Sequence, residues 1–234
     1  MNREYYSSTI QNFITSNPDN ILAEIVRNNE FPLEPSQKDA WIEEIQILKK
    51  SLVSQVGKIY FEYSIPRMGK RIDVLLLIRS IIYILEFKIG EKNFPQHAID
   101  QVWDYALDLK NFHEQSHHAV VAPILISSNA KNILTEISLT RSHDDVFNPI
   151  KCNPIQLTDV INSVALFSDN ISIDYGKWEE SRYHPTPTII EAAMALYNGH
   201  DVKEISRSDA NAKNLSDTAN AISKLIIHSK SRTR

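Results

Sequence analysis

The chain is short of glycine, almost without cysteine and free of long apolar runs, and each shortage closes off a class of function. Only five glycines occur in 234 residues, at positions 57, 69, 90, 176 and 199. None stands in a G-x-G-x-x-G or G-x-x-x-x-G-K-[ST] pattern, so the sequence holds no recognisable nucleotide-binding loop. One cysteine, Cys152, can close no internal disulfide and builds no thiolate metal site, which leaves it as an ordinary semi-buried residue. No apolar stretch approaches the ~20 residues that cross a bilayer. The opening MNREYYSSTI lacks the apolar core of a secretory signal, so the expected location is cytoplasmic.

Basic charge is also in short supply. The formal net charge of −4 argues against a uniformly basic nucleic-acid coat, although charge can still be concentrated locally. Between Ser64 and Lys92 it is: Arg67, Lys70, Arg71, Arg79, Lys88 and Lys92 face only Asp73, Glu86 and Glu91. With 42% hydrophobic and 23% charged residues, the composition fits one large globular domain, or one domain with an appendage.

Periodicity orders the middle of the chain. From Ser36 to Val53, Trp41, Ile45, Leu48 and Leu52 recur on one helical face behind an opening serine. The next forty residues turn to β-branched and alternating patterns, predicting strands near Lys58–Pro66, Arg71–Arg79 and Ile81–Lys88. Short turns at Gly69 and at Arg79-Ser80 imply an antiparallel meander. His97–Phe112 is helical again, and AVVAPILIS, Ala119–Ser127, is a strand buried on both faces. A strand reached through a helix pairs parallel with its predecessor, so the expected fold is α/β: a mixed central sheet flanked by helices. Ile133–Leu139 and Ile155–Leu166 complete the domain, expected over residues 1–170. From 171 to 234 the texture changes to a helical segment, with helices from Thr188 and over Ser216–Ser229 and a basic end, SKSRTR.

The strand YILEFK ends in Glu86 and Lys88, which share a face because strand side chains alternate. Asp73 lies on the preceding strand, in RIDVLLLI, where an unpaired aspartate would be costly to bury. Two carboxylates offer hard oxygens to Mg²⁺ or Mn²⁺, and a lysine beside them offsets charge that builds on a phosphate. Taken alone, E-x-K suits a structural ion pair equally well. The following helix adds Gln101 and Tyr105 one turn apart, in QVWDY.

Together these residues resemble the PD-(D/E)xK nuclease superfamily, in its RecB-like branch with a Q-x-x-x-Y helix, over residues 36–128. The resemblance implies a restriction-endonuclease-like core in which Asp73 and Glu86 hold the metal and Lys88 assists the nucleophile. Gln101 and Tyr105 would orient the site or the nucleic acid. Ile72 departs from the pattern, standing where a proline usually precedes the aspartate. The superfamily often adds a glutamate from its first helix. With Trp41 at zero and about 100° per residue, Glu43 falls opposite the apolar stripe and Glu44 on its flank, so Glu44 is the better candidate. Arg67, Lys70, Arg71 and Lys92 are the candidate phosphate contacts.

Longer phrases, among them FEYSIPRMGKRIDVLLL and YHPTPTIIEAAMALYNGHDVKEISRSDANAKNLSDTANAI, resemble the N-terminal region of bacterial Schlafen-like DNA/RNA helicases. That resemblance implies a nuclease-like domain continuing into a P-loop ATPase, with DNA or RNA as the partner. Two other readings stay open. One is a nuclease-like module that no longer cuts and serves as a DNA-binding or regulatory platform for an ATPase. The other rests on His113-Glu114-Gln115-Ser116-His117, which fits the H-E-x-x-H pattern of zinc peptidases but straddles the end of a helix and lacks a third ligand.

Overall fold

A six-stranded mixed sheet runs in strict chain order, β1 to β6, with no strand inserted out of turn. The computed structural model describes residues 3–65, 69–141, 144–169 and 171–183. The chain divides after Tyr183, and the helices expected from Thr188 and over Ser216–Ser229 lie outside the described residues, as does Arg67.

The elements are β1 (Tyr6–Thr9), α1 (Ile10–Thr15), α2 (Pro18–Asn28), α3 (Pro35–Ser51), β2 (Lys58–Ile65), β3 (Lys70–Ile78) and β4 (Ile81–Lys88). After them come α4 (Gln96–Phe112), β5 (Val120–Ser127), β6 (Ile150–Cys152), α5 (Leu157–Val164) and α6 (Tyr175–Glu179). Strands β1 to β4 pair antiparallel, whereas β4–β5 and β5–β6 are parallel. The α/β fold with a mixed, helix-flanked sheet is therefore as the sequence predicts. The β3–β4 pair is closed by the two-residue turn at Arg79-Ser80, and the parallel pair follows from the α4 crossover.

Each face of the sheet has its own core. On one side Phe61, Val74, Leu76, Tyr83 and Leu85 meet Trp41, Ile45 and Leu48 of α3, with Val160 and Ile161 of α5. On the other, Tyr60, Tyr63, Leu75, Ile82 and Ile84 meet Ala98, Val102, Ala106 and Leu109 of α4. Trp178 of α6 joins this second core, fully buried against Tyr60, Tyr63 and His113. Residues beyond 170 thus contribute to the packing of the first unit. Lys49 of α3 donates to the carbonyls of Phe13, Ile14 and Ser16, satisfying groups that the end of α1 leaves open.

The alternation of faces slips once, in two strands together. Phe61 belongs to the α3 side but Tyr63 to the α4 side; across from them, Val74 lies on the α3 side and Ile72 on the α4 side. Phe61 pairs with Val74 and Tyr63 with Ile72, while the intervening pair, Glu62 and Asp73, is skipped. Glu62 adopts a φ of 54°, a left-handed conformation uncommon for a glutamate. That residue stands where β2 changes the face it presents, and β3 changes face opposite it, at Asp73. Two carboxylates thus lie at the slip.

Candidate functional site

The β3–β4 register ends at Val74–Leu85. One residue further it would set Asp73 opposite Glu86. Pairing stops instead, and Asp73 Oδ2 accepts the backbone N–H of Phe87 at 2.7 Å. An aspartate side chain thus replaces a backbone rung, between the two charged residues of YILEFK. Glu86 Oε1 accepts from Lys88 Nζ at 2.7 Å. Glu86 is 1% exposed while the Lys88 side chain is 24% exposed, so the ammonium is the solvent-facing end of the pair.

Glu44 reaches the same place from α3. It is buried, and the charges that act on it are those of Asp73, Glu62 and Glu86, with its helix neighbour Glu43 acting least. Glu43, its neighbour on α3, instead lines a hollow with Asp39 and Lys50. From α4, Gln101 Nε2 donates to the Tyr105 hydroxyl at 2.8 Å, and Tyr105 is buried within electrostatic reach of Glu86, Asp73 and Glu62. Asp73, Glu86, Lys88, Glu44, Gln101 and Tyr105 are therefore brought together.

Glu62 is the member that the sequence did not disclose. Its Oε1 accepts the Trp41 indole N–H at 2.8 Å, so α3 holds its carboxylate toward the cluster. The one available signal was an acid inside the apolar strand FEYSI, the same signal that singled out Asp73.

Four acids in one place repel each other. Burial first, then neighbouring carboxylates, raises the pKa of Glu44 well above its ordinary value, and the same two causes raise Glu86. Glu62 is pushed up to about 7 by burial and by Asp73, against the indole bond and Arg71. Asp73 is raised by burial, with the Phe87 amide and Lys88 pulling it back.

The donor set suits a hard cation. Glu86 Oε2 and Glu44 Oε2 are buried without a hydrogen-bond partner, an expensive arrangement that a divalent ion would relieve. Among the described residues no three acidic, histidine or cysteine side chains converge as a cage. Mg²⁺ does not require one, since it is commonly held by one or two carboxylates, with waters and substrate phosphates completing its shell.

The basic residues divide. Lys70 and Lys92 are exposed. Arg71 is engaged within the protein: its guanidinium donates to Glu62 O and to Glu30 Oε2, both at 2.9 Å, and lies 4.1 Å over the Tyr5 ring. By holding the Glu62 carbonyl it supports the slip.

His113 and His117 do not share a helical turn. Helix α4 ends at Phe112, and His113 is extended, with φ −91° and ψ 108°. Its ring is buried, Nδ1 lies 2.7 Å from Ser116 Oγ, and Trp178 packs 4.5 Å away. The helical pair that an H-E-x-x-H zinc site needs is absent.

The chain matches no protein-family model, no curated protein and no solved structure. Among the described residues no helix is long and apolar enough to cross a membrane.

Proposed function

We propose that the domain is a metal-dependent nuclease, hydrolysing phosphodiester bonds of DNA or RNA. The supporting observation is the meeting of Asp73, Glu86 and Lys88 where β3 and β4 part, with two buried acid oxygens left unpaired. Asp73 and Glu86 would hold the ion, with Glu44 beside them. Bound there, Mg²⁺ or Mn²⁺ would supply Lewis-acid activation of the phosphate and of an attacking water.

The chain's own groups do the rest. Lys88 carries its charge at the open end of the pair, where it offsets negative charge growing on the phosphate. Gln101 fixes the Tyr105 hydroxyl beside the carboxylates. Trp41 and Arg71 hold Glu62 at the slip, and Glu62 adds negative potential that favours a cation.

A second reading is favoured by the Glu86–Lys88 ion pair, which already occupies one carboxylate oxygen: a nuclease-like module that binds nucleic acid without cutting. Both readings fit the N-terminal part of a helicase or ATPase fusion. Incubation of the wild type, Glu86→Gln and Lys88→Ala with single- and double-stranded DNA and RNA, with and without Mg²⁺, separates them. Mg²⁺-dependent cleavage by the wild type alone supports the nuclease. Metal-independent binding without turnover in all three supports the module.

A further inference from the structure

The chain leaves the sheet twice beside the candidate site, once after Lys88 and once after Ser127, its partner across the β4–β5 pair. The two exits are tied together. Ser128 N–H donates to Lys88 O at 3.1 Å and Asn129 N–H to Glu91 O at 3.0 Å. Gly90 N–H donates to Ser128 Oγ at 2.9 Å, and Ser127 Oγ to Asn93 O at 2.7 Å. Next to this tie lie two hollows of about 440 Å³ each. Phe94 and Ile133 line both, so the two adjoin and are together called the trough. Lys92 and Lys131 line one hollow and Lys151 the other, where a single acid, Glu136, accompanies it.

The wall of the trough is irregular but fixed. Asn153, 2% exposed, donates to Ala130 O at 3.1 Å and to Asn132 Oδ1 at 2.7 Å. Gln156 grips both sides of one residue, donating to Ile133 O at 2.7 Å and accepting from Ile133 N–H at 3.4 Å. Thr135 Oγ1 donates to Lys151 O at 3.3 Å. A groove held by its own side chains costs little ordering when a ligand enters.

We propose that this trough binds single-stranded nucleic acid, with the lysines on successive phosphates and Phe94 beneath an unstacked base. The inference rests on the nuclease reading of the adjoining carboxylates for the direction of the strand, though not for the chemistry of the groove. Cations along a trough match a phosphate backbone, and an aromatic floor takes bases of any identity. A duplex offers no free base face to that floor. Phosphates and base faces are common to both polymers, so DNA and RNA strands are expected to bind alike.

The test is fluorescence anisotropy of labelled oligothymidylate, oligouridylate and a hairpin duplex, titrated with the full chain in excess chelator so that no cleavage intervenes. Lys131→Glu and Lys151→Glu change exposed residues, and Phe94→Leu keeps an apolar side chain while removing the stacking face. Each is expected to weaken single-strand binding by about tenfold, the lower end for loss of one stacked base or a reversed phosphate contact. The lysine variants should also show a shallower salt dependence. Unchanged affinity in all three variants would overturn the proposal, as would a duplex or a polyglutamate competitor binding as tightly as the single strands. If cleavage depends on Glu86 while the trough variants bind like wild type, the trough alone is refuted. If no preparation cleaves but the variants lose binding, the nuclease reading falls and the trough stands.

Discussion

Asp73 bonds the backbone of Phe87 rather than a side chain, so an acid of one strand is held between Glu86 and Lys88 of the next. The bond requires an acceptor but not a charge. Asp73→Asn retains the acceptor and should keep the thermal midpoint at or above the wild-type value. Asp73→Ala leaves the Phe87 N–H without a partner and should cost about 1–3 kcal/mol. Both should lower Mg²⁺-dependent cleavage by about 100-fold or more if the carboxylate holds the ion. Thermal melts beside a cleavage assay separate the two roles, and an Asp73→Asn protein that cuts like wild type would remove Asp73 from the chemistry.

The crowded acids predict an unusual pH response. Glu86, Asp73 and Glu62 have folded-state pKa values above those of the unfolded chain. The folded protein therefore binds more protons, and stability falls as pH rises from about 4. For Glu62 that fall extends to about pH 7. Melting in chelator should show a midpoint declining from pH 5 to pH 8, less steeply in Glu86→Gln. Added Mg²⁺ should raise the midpoint most at the alkaline end. A midpoint indifferent to Mg²⁺ at pH 8 would count against a cation among these residues.

His113 tilts the other way. Burial, helped by Arg3 and His117, lowers its pKa to about 3, so it stays neutral in the fold while the unfolded chain takes up a proton below about pH 6.5. Its contribution is lost as pH falls from 6.5 toward 3. His113→Gln should flatten that acid limb of the stability profile without touching the alkaline one.

Trp178→Ala tests whether residues after 170 belong to the core. Trp178 is fully buried, packs on Tyr60, Tyr63 and His113, and donates through its indole to Ser116 Oγ at 3.0 Å. Its removal should cost about 3–5 kcal/mol in denaturant unfolding. A loss below 1 kcal/mol would show that α6 is not part of the folding unit.

Gly57→Ala examines a contact just before the start of β2. A Cβ there would fall 2.2 Å from the Leu77 carbonyl oxygen, a backbone atom that cannot step aside. A loss of about 1–3 kcal/mol or more is expected, visible as a lower midpoint.

Much of this architecture was legible in the residues. The three meander strands, α3, α4 and β5 fall within a residue or two of the spans that periodicity predicts, because each is long and buries a regular stripe. β1, of four residues, and β6, of three, carry too few alternations to declare themselves. The segment 133–139 forms no helix or strand, and Gln156 holds the Ile133 backbone at its start, a pairing that local spacing does not encode. At the site, strand alternation placed Glu86 with Lys88, and helix phase placed Glu44. It could not place Glu62, because FEYSI reads as an uninterrupted strand and the reversal of faces there leaves no mark in the residue spacing.

The clasp from Asn153 and Gln156 also sets an order of events. These side chains lie up to 23 residues further along the chain than the backbone they hold. Asp73, Glu86, Lys88, Glu44, Gln101 and Tyr105 all precede residue 112. A chain emerging from the ribosome N-terminus first can gather its carboxylates around β3, β4 and α4 while residues 153 and 156 are still to be made. On that route the carboxylates can meet before the trough has its wall.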